Sequence, residues 1–263
     1  LKIDNERRIK IRANHTATLL GSKIYHWGGK DDSGVLNTTD VYSITSLDNL
    51  WDTLQGPDTD LGRSGHTATL VNDQIIFWGG EDVSGQLLNT MSIFNLKQST
   101  WVLGTSGGNP RKGHKASLYK GKIYYWGGID QLGLTNNTID IYDPQLDQWI
   151  MEGQQAEGLP KSNHAQLKYL NNQFAWAGTN ESGNSNSLNI YNFSNNTWRQ
   201  GVSGGRSRNG HSVAVRNGKA YFWGGESYKG KYLNTMDILD MTTNRNNAPE
   251  ISSLTLNAMS DAS

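Results

Sequence analysis

The sequence predicts an all-β protein built from repeated units of four short strands. Three observations support this prediction: the dipeptide Trp-Gly recurs along the chain, a histidine precedes each recurrence at a fixed distance, and long runs of apolar residues at helical spacing are missing. The composition agrees, because 30 glycines, nine tryptophans and 11 tyrosines among 263 residues, with only five prolines, suit strands joined by tight turns.

Tryptophan marks the repeat. Five tryptophans are separated by 51, 48, 50 and 47 residues, and each is followed by Gly-Gly except the fourth, which is followed by Ala177-Gly178. They are Trp27, Trp78, Trp126, Trp176 and Trp223. A unit near 50 residues that recurs in this way indicates a repeat architecture.

Each repeat carries three further positions. A histidine lies 12 residues before each of these tryptophans, a cation lies three residues before each histidine, and in four repeats a second tryptophan follows the first by 22 to 24 residues. The histidines are His15, His66, His114, His164 and His211, and the outer tryptophans are Trp51, Trp101, Trp149 and Trp198. All nine tryptophans and five of the six histidines are therefore repeat positions, which excludes chance.

The second repeat shows how a unit divides into strands. It contains a first strand, a two-residue turn, an apolar second strand, a glycine pair, a polar loop, a third strand and a tryptophan that marks the fourth strand. In order, these are His66–Val71, Asn72-Asp73, Gln74–Trp78, Gly79-Gly80, Glu81–Leu88, Asn89–Leu96 and Trp101. The second strand is apolar on both faces, so we expect it to be buried between two sheets.

Four-stranded units of this length in tandem are typical of the blades of a β-propeller. The glycine pair after an apolar strand, followed by a tyrosine and then a tryptophan, resembles the Kelch repeat over about residues 1–245. The tyrosine position is occupied by Tyr42, Phe94, Tyr142, Tyr191 and Leu239. The Trp-Gly-Gly form resembles Kelch arrays of secreted or envelope-associated bacterial proteins, and this resemblance implies such a location.

We expect five blades in a domain of residues 1–245. The propellers that Kelch repeats resemble more often have six or seven blades. The fifth repeat lacks its outer tryptophan, and Leu1-Lys2-Ile3 is the predicted fourth strand that closes this blade and removes an exposed sheet edge. Residues 246–263 are read as a linker and tail, serving as a tether, an extra edge strand or the start of a further domain of the same polypeptide.

Composition excludes several classes of function. Lys+Arg and Asp+Glu both number 24, so the basic footprint of a nucleic-acid-binding protein is absent. The longest apolar runs are about four residues, which is too short for a membrane span. Cysteine is absent, which excludes disulfides, zinc–thiolate sites and a cysteine nucleophile. We expect no cofactor and no metal, because five histidines on separate blades are a blade width apart and are better explained by contacts with the neighbouring blade.

The antiparallel strands predict where a ligand binds. The segment before each first strand and the loop after each glycine pair share one end of the blade, whereas the other end carries two-residue turns. The candidate ligand-binding cations at the first end are Arg12, Arg63, Arg111, Lys161 and Arg208. The alternative is a scaffold role in which these cations pair with the acids of the loops.

The loops supply the other candidate ligand-binding residues. These are Asp31, Glu81, Asp130, Glu181, Glu226 and Tyr228. Two carboxylates can perform acid–base chemistry, but only their spatial separation decides that, and no spacing here matches a catalytic motif. No catalytic residue is assigned.

Three functions stay open at this stage. The first is a non-catalytic binding module, active in recognition or adhesion, that takes a protein or a cell-surface glycan. The second is a sugar mutarotase or epimerase with an acid and a base near the channel mouth. The third is a structural spacer in a larger surface protein.

Overall fold

The computed structural model describes residues 11–45, 51–57, 62–156 and 160–242, together with the backbone of residues 251–255. These residues form strands, turns and loops and no helix, so none of them makes a helix able to cross a membrane. The all-β prediction is confirmed, and five four-stranded antiparallel sheets form the blades of a β-propeller.

The four strands of each blade follow one another in the sheet as they do in the chain. The first blade contains Thr16–Leu20, Lys23–Trp27, Thr38–Ser43 and Trp51–Gln55. The second contains Thr67–Val71, Gln74–Trp78, Met91–Asn95 and Thr100–Gly104. The third contains Lys115–Tyr119, Lys122–Trp126, Thr138–Asp143 and Gln148–Gln155. The fourth contains Ala165–Tyr169, Asn172–Trp176, Leu188–Asn192 and Thr197–Gln200. The fifth contains Ser212–Arg216, Lys219–Trp223, Thr235–Asp240 and Ile251–Thr255.

The chain forms two compact units whose boundary falls inside the third blade. In the first unit, Trp78 packs with Tyr125 and Tyr142 in a buried cluster. In the second unit, Trp176 packs with Phe222 and Leu188. Both cores lie between neighbouring blades, which explains why the second strands are apolar on both faces.

The glycine pair lets neighbouring segments approach closely. Gly79 has φ +71°, and a Cβ there would lie 2.6 Å from Cε1 of His114 and 2.9 Å from the carbonyl oxygen of Arg111, both in the next blade. Gly80 has φ +90°, and its Cβ would lie 2.7 Å from the carbonyl oxygen of Ser64 in its own blade. Each glycine is therefore required for both its backbone conformation and its lack of a side chain.

The fourth strand of the fifth blade corrects a prediction. Ile251–Thr255 pairs with the third strand of that blade, with Ile251 opposite Leu239, so this position does not belong to Leu1-Lys2-Ile3. Residues 1–3 lie outside the described part of the chain.

The register explains the error. Trp51 and Trp101 lie opposite Tyr42 and Phe94, so Ile251 takes the place of the outer tryptophan. The connection between the third and fourth strands is longer in the fifth blade than in the others. Counting forward from the tyrosine position at the usual spacing therefore stops before Ile251. A strand that follows its partner closely in the chain also pairs at a lower entropic cost than a distant terminus.

Candidate functional site

The predicted end of each blade does bring the candidate segments together. An isolated bridge joins the segment before each first strand to the residue after the glycine pair. The bridged pairs are Ala13 with Lys30, Ser64 with Glu81, Lys112 with Ile129, Ser162 with Thr179 and Asn209 with Glu226. We call the loop that begins with the second residue of each pair the glycine-pair loop.

The cations lie beneath this surface and bind the scaffold. The side chain of Arg12 is 5% exposed, and one guanidinium nitrogen donates to the carbonyl oxygens of Gly28 (2.9 Å) and Thr38 (3.0 Å). The other nitrogen contacts the carboxylate of Asp40 at 2.5 Å. Arg12 therefore fastens the end of its second strand to the start of its third strand.

The same arrangement recurs in the other blades. Arg111 pairs with Asp140 and Arg208 pairs with Asp237, and all four side chains are buried. Arg63 meets hydroxyl groups instead, donating to Ser92 Oγ at 3.1 Å.

The structure places these cations beneath the surface, where they are buried and bind backbone carbonyls, and not at the surface where a ligand was expected to meet them. The expected scaffold partners also change, from the loop acids to acids of the third strand. Asp40, Asp140 and Asp237 each stand two residues before the tyrosine position. That fixed offset is the sequence signal that could have identified them.

Lys161 is the exception among the cations. Its side chain is buried, and Asn189 stands where three blades have an aspartate. Its ammonium group donates to the carbonyl oxygens of Ser187 (2.5 Å) and Ala175 (3.5 Å). Burial lowers the pKa of Lys161 to about 7, because the low-polarity surroundings disfavour the charged form.

The histidines hold neighbouring blades together. Nε2 of His66 lies 3.0 Å from Thr16 Oγ1 of the preceding blade, and Nε2 of His114 lies 3.0 Å from Thr67 Oγ1. The His66 ring packs edge-on against Trp27, with 4.9 Å between the ring centroids. Burial, followed by the charge of Arg63, holds the pKa of His66 well below its usual value. The predicted contact with a neighbouring blade is confirmed for these two histidines.

The loop acids have local roles. Asp31 accepts hydrogen bonds from Ser33, and Asp130 accepts one from the Leu132 amide at 2.9 Å, so both stabilise turns. Glu81 pairs with Lys112 at 2.5 Å. No group of three or more acidic or histidine side chains among the described residues is arranged to hold a metal ion.

The remaining candidate ligand-binding residues lie at the surface. The structure also exposes two apolar side chains there that were not among the predicted candidates. Glu181 is exposed, Glu226 is partly exposed and Tyr228 is 68% exposed. Val83 (60%) and Leu132 (82%) are apolar side chains at the tips of their glycine-pair loops. The sequence signal for both was an apolar residue in a loop where the repeat provides nothing to bury it.

A family model for the KLHDC2/KLHL20/DRC7 Kelch-repeats domain matches residues 14–165, which is more than half of the chain. The chain belongs to the Kelch-repeat family. The resemblance inferred from the glycine pairs and tryptophans is thus confirmed at the level of the family. Kelch propellers generally serve as protein-interaction modules.

Named relatives share part of this Kelch domain. Human Kelch domain-containing protein 3 is 26% identical over 102 residues, which cover 34% of this chain and 27% of that protein. The Rho GTPase-activating protein gacHH of Dictyostelium discoideum is 28% identical over 98 residues, covering 36% of this chain and 6% of that protein. The chain therefore matches only about a quarter or less of these relatives.

Proposed function

We propose that this Kelch domain is a non-catalytic protein-interaction module whose partners contact the glycine-pair loops. The observation that carries this proposal is the exposure of apolar side chains at the tips of ordered loops. Loops on a rigid scaffold commonly carry recognition, and exposed apolar groups gain free energy when a partner removes them from water.

The loops of the first unit illustrate this order. In the second blade, Asp82 Oδ1 accepts hydrogen bonds from the amide (2.8 Å) and the hydroxyl (2.6 Å) of Ser84, which fixes the turn that presents Val83. Gln131 Oε1 accepts a hydrogen bond from the Leu87 amide at 2.8 Å, joining this loop to that of the third blade. A preformed surface loses less conformational entropy on binding.

The test compares two leucines at opposite ends of the third blade. Leu132 lies in the glycine-pair loop, and Leu146 (61% exposed) lies in the turn before the outer strand. A photocrosslinker is placed at position 132 or at position 146 of the full chain. The chain is then mixed with an extract of its source cells, and the proteins that crosslink are identified. We expect a partner that crosslinks at 132 and is lost with Leu132→Ser but kept with Leu146→Ser. Equal loss in both variants, or crosslinking at 146 alone, contradicts the proposal.

A glycan is the second ligand class, supported by the exposed rings of Tyr228 and Tyr232 (88%), since aromatic faces stack on sugars. A glycan-array screen of the full chain tests it, with Tyr228→Ala as the matched variant. Secretion or attachment to a cell envelope belongs to the same proposal and is tested by fractionating the source cells.

The alternative of a sugar-converting enzyme has less support. It needs an acid and a base near the channel, which a glutamate or an arginine would supply, and the described contacts already engage each of the five cations within its own blade.

A further inference from the structure

The glycine-pair loop of the fifth blade differs in charge from the other four. Over the seven residues that follow the glycine pair, the other four loops each carry a net negative charge. The fifth, Glu226-Ser-Tyr-Lys-Gly-Lys-Tyr232, has two lysines and one glutamate. One tyrosine directly precedes the first lysine and another directly follows the second. From this loop we infer that the fifth blade binds an acidic segment of a partner protein, an inference that rests on the proposed function.

The loop is ordered by its own backbone. The amide of Ser227 donates to the carbonyl of Lys231 at 2.9 Å, and the amide of Gly230 donates to the carbonyl of Ser227 at 2.9 Å. Glu226 also bridges to Tyr232, which closes the hairpin. Tyr228 and Lys229 are therefore held at its tip, and an incoming segment meets a preformed shape.

The neighbouring blade supports this hairpin. The side-chain amide of Asn184 in the fourth blade donates to the carbonyl of Glu226 at 2.9 Å, and the amide of Asn209 donates to the same carbonyl at 3.0 Å. The base of the loop is thus fixed on two sides, whereas its tip projects into solvent.

The two lysines have no acidic partner within the described residues. By contrast, Lys112 of the third blade pairs at 2.5 Å with Glu81 of the second blade's glycine-pair loop, so its charge is neutralised. Lys229 instead lies over the Tyr228 ring, with its Nζ 5.4 Å from the ring centroid. An ammonium group that is not neutralised within the domain attracts carboxylates, and this raises both the rate and the selectivity of association.

The tyrosines define the rest of the partner. Exposed tyrosine rings offer a large apolar surface with a hydroxyl at the edge, and such residues frequently provide much of the binding free energy at interfaces. A peptide that alternates glutamates with an apolar residue satisfies both the ammonium groups and the rings. The partner class is therefore an acidic, partly apolar protein segment.

The experiment measures fluorescence anisotropy of a labelled peptide, Glu-Glu-Leu-Glu-Glu-Leu-Glu-Glu, titrated with the full chain. A matched peptide has every glutamate replaced by glutamine. We expect the glutamate peptide to bind more tightly by about tenfold or more, and to weaken as salt is added. Equal binding of the two peptides overturns the inference.

Variants locate the site. Lys229→Glu with Lys231→Glu should reduce the affinity for the acidic peptide by about tenfold or more. The control pair Lys120→Glu with Lys168→Glu makes the same charge change at the two-residue turn end of the third and fourth blades, and it should leave the affinity within about twofold. Equal loss in both pairs shows a response to net charge and contradicts a site at the loop.

Further probes separate this inference from the proposed function. Tyr228→Phe should bind the peptide like the wild type, whereas Tyr228→Ala should bind it less tightly. Binding of single-stranded RNA or phosphatidylserine vesicles as tight as that of the acidic peptide contradicts a protein partner. If the peptide does not bind while capture at Leu132 persists, the inference fails and the proposed function stands; if both are absent, both fail.

Discussion

At the scale of single residues, the repeat carries one buried cation per blade, but the surroundings of these cations differ. Arg12, Arg111 and Arg208 each have a carboxylate partner. Lys161 faces backbone carbonyls and has Asn189 where the others have an acid. Among the described residues, no opposite charge offsets the cost of burying the charge of Lys161.

This difference predicts a pH dependence. The pKa of Lys161 is about 7 in the folded chain and about 10.4 in an unfolded one. Between these values the unfolded chain binds more protons, so the free energy of unfolding rises with pH across this window, by at most about 1.4 kcal/mol per pH unit from this group.

Lys161→Met removes the titrating group while keeping the volume of the side chain similar. Urea unfolding of both proteins from pH 7 to pH 9.5 should show a steeper rise in the wild type. Parallel profiles would mean that Lys161 keeps its ordinary pKa in the folded state.

The glycine pairs provide a matched comparison. Gly79 and Gly224 both have φ +71°, but a Cβ on Gly79 would lie 2.6 Å from His114 Cε1, whereas a Cβ on Gly224 would approach the carbonyl oxygen of Leu233 only to 3.7 Å. Both alanine variants carry the penalty for positive φ, about 1 kcal/mol. Gly79→Ala also meets a steric clash that should cost about 1–3 kcal/mol more. Chemical denaturation of the two variants measures the difference, and equal losses would show that the backbone conformation alone requires these glycines.

At the scale of strands and blades, Asp147 forms a hydrogen-bonded clasp at the seam between the second and third blades. Asp147 accepts hydrogen bonds from the amide and hydroxyl of Thr105, both at 2.9 Å, and from the hydroxyl of Tyr142 at 2.5 Å. In the second blade, Phe94 and Ser99 occupy the positions of Tyr142 and Asp147. A groove of about 670 Å³ lined by Phe94, Ser99 and Trp101 opens at the seam between the first and second blades.

Removing the clasp should weaken the seam. Asp147→Ala leaves three donors without their acceptor, and we expect a loss of about 1–2 kcal/mol in the free energy of unfolding, because the carboxylate is near the surface. Ser99→Ala, at the equivalent position of the second blade, should change it by less than about 0.5 kcal/mol. Thermal denaturation compares the two, and a loss as large for Ser99→Ala would show that the position matters for another reason.

The fifth blade yields a prediction about its outer strand. Removing residues 251–263 takes away the strand that pairs with Thr235–Leu239 and leaves an unpaired edge, which promotes aggregation. We expect the free energy of unfolding to fall by roughly 2 kcal/mol or more, from the lost hydrogen bonds. Removing only residues 256–263 is the control and should change little. Calorimetry with light scattering distinguishes the two truncations.

At the scale of the whole molecule, several histidines shift together. Burial lowers the pKa of His15, His26 and His66 below the usual value of 6.5. Below pH 6.5 the unfolded chain therefore takes up protons that the folded chain does not, and the free energy of unfolding falls as the pH decreases.

We expect acid destabilisation to begin below pH 6.5, well above the range in which carboxylates titrate. The slope between pH 6.5 and pH 5 should be smaller in His66→Gln than in the wild type, whatever the absolute stability of the variant. Urea unfolding at intervals across this range measures the slopes. An unchanged slope would show that His66 is protonated in the folded state.

The sequence alone determined the repeat, the strand order of the first four blades and the end at which the cations and loops meet. These follow from local rules, because hairpin turns, alternating strands and glycine pairs fix their geometry within a few residues. The contact of His66 and His114 with the preceding blade also followed, since a histidine repeated at a fixed position makes the contact recur.

Only the tertiary structure decided which side chains are buried and which charged groups pair with each other. Asp40, Asp140 and Asp237 are far from their arginines in the chain, and the strand pairing brings them together. Likewise, Ile251 replaces an outer tryptophan because register depends on hydrogen-bond pairing and not on residue count. Tyr232 and Leu132 gained importance from exposure, which depends on every neighbouring segment at once. Local patterns thus specified the scaffold, while long-range packing decided which side chains of that scaffold remain available to a partner.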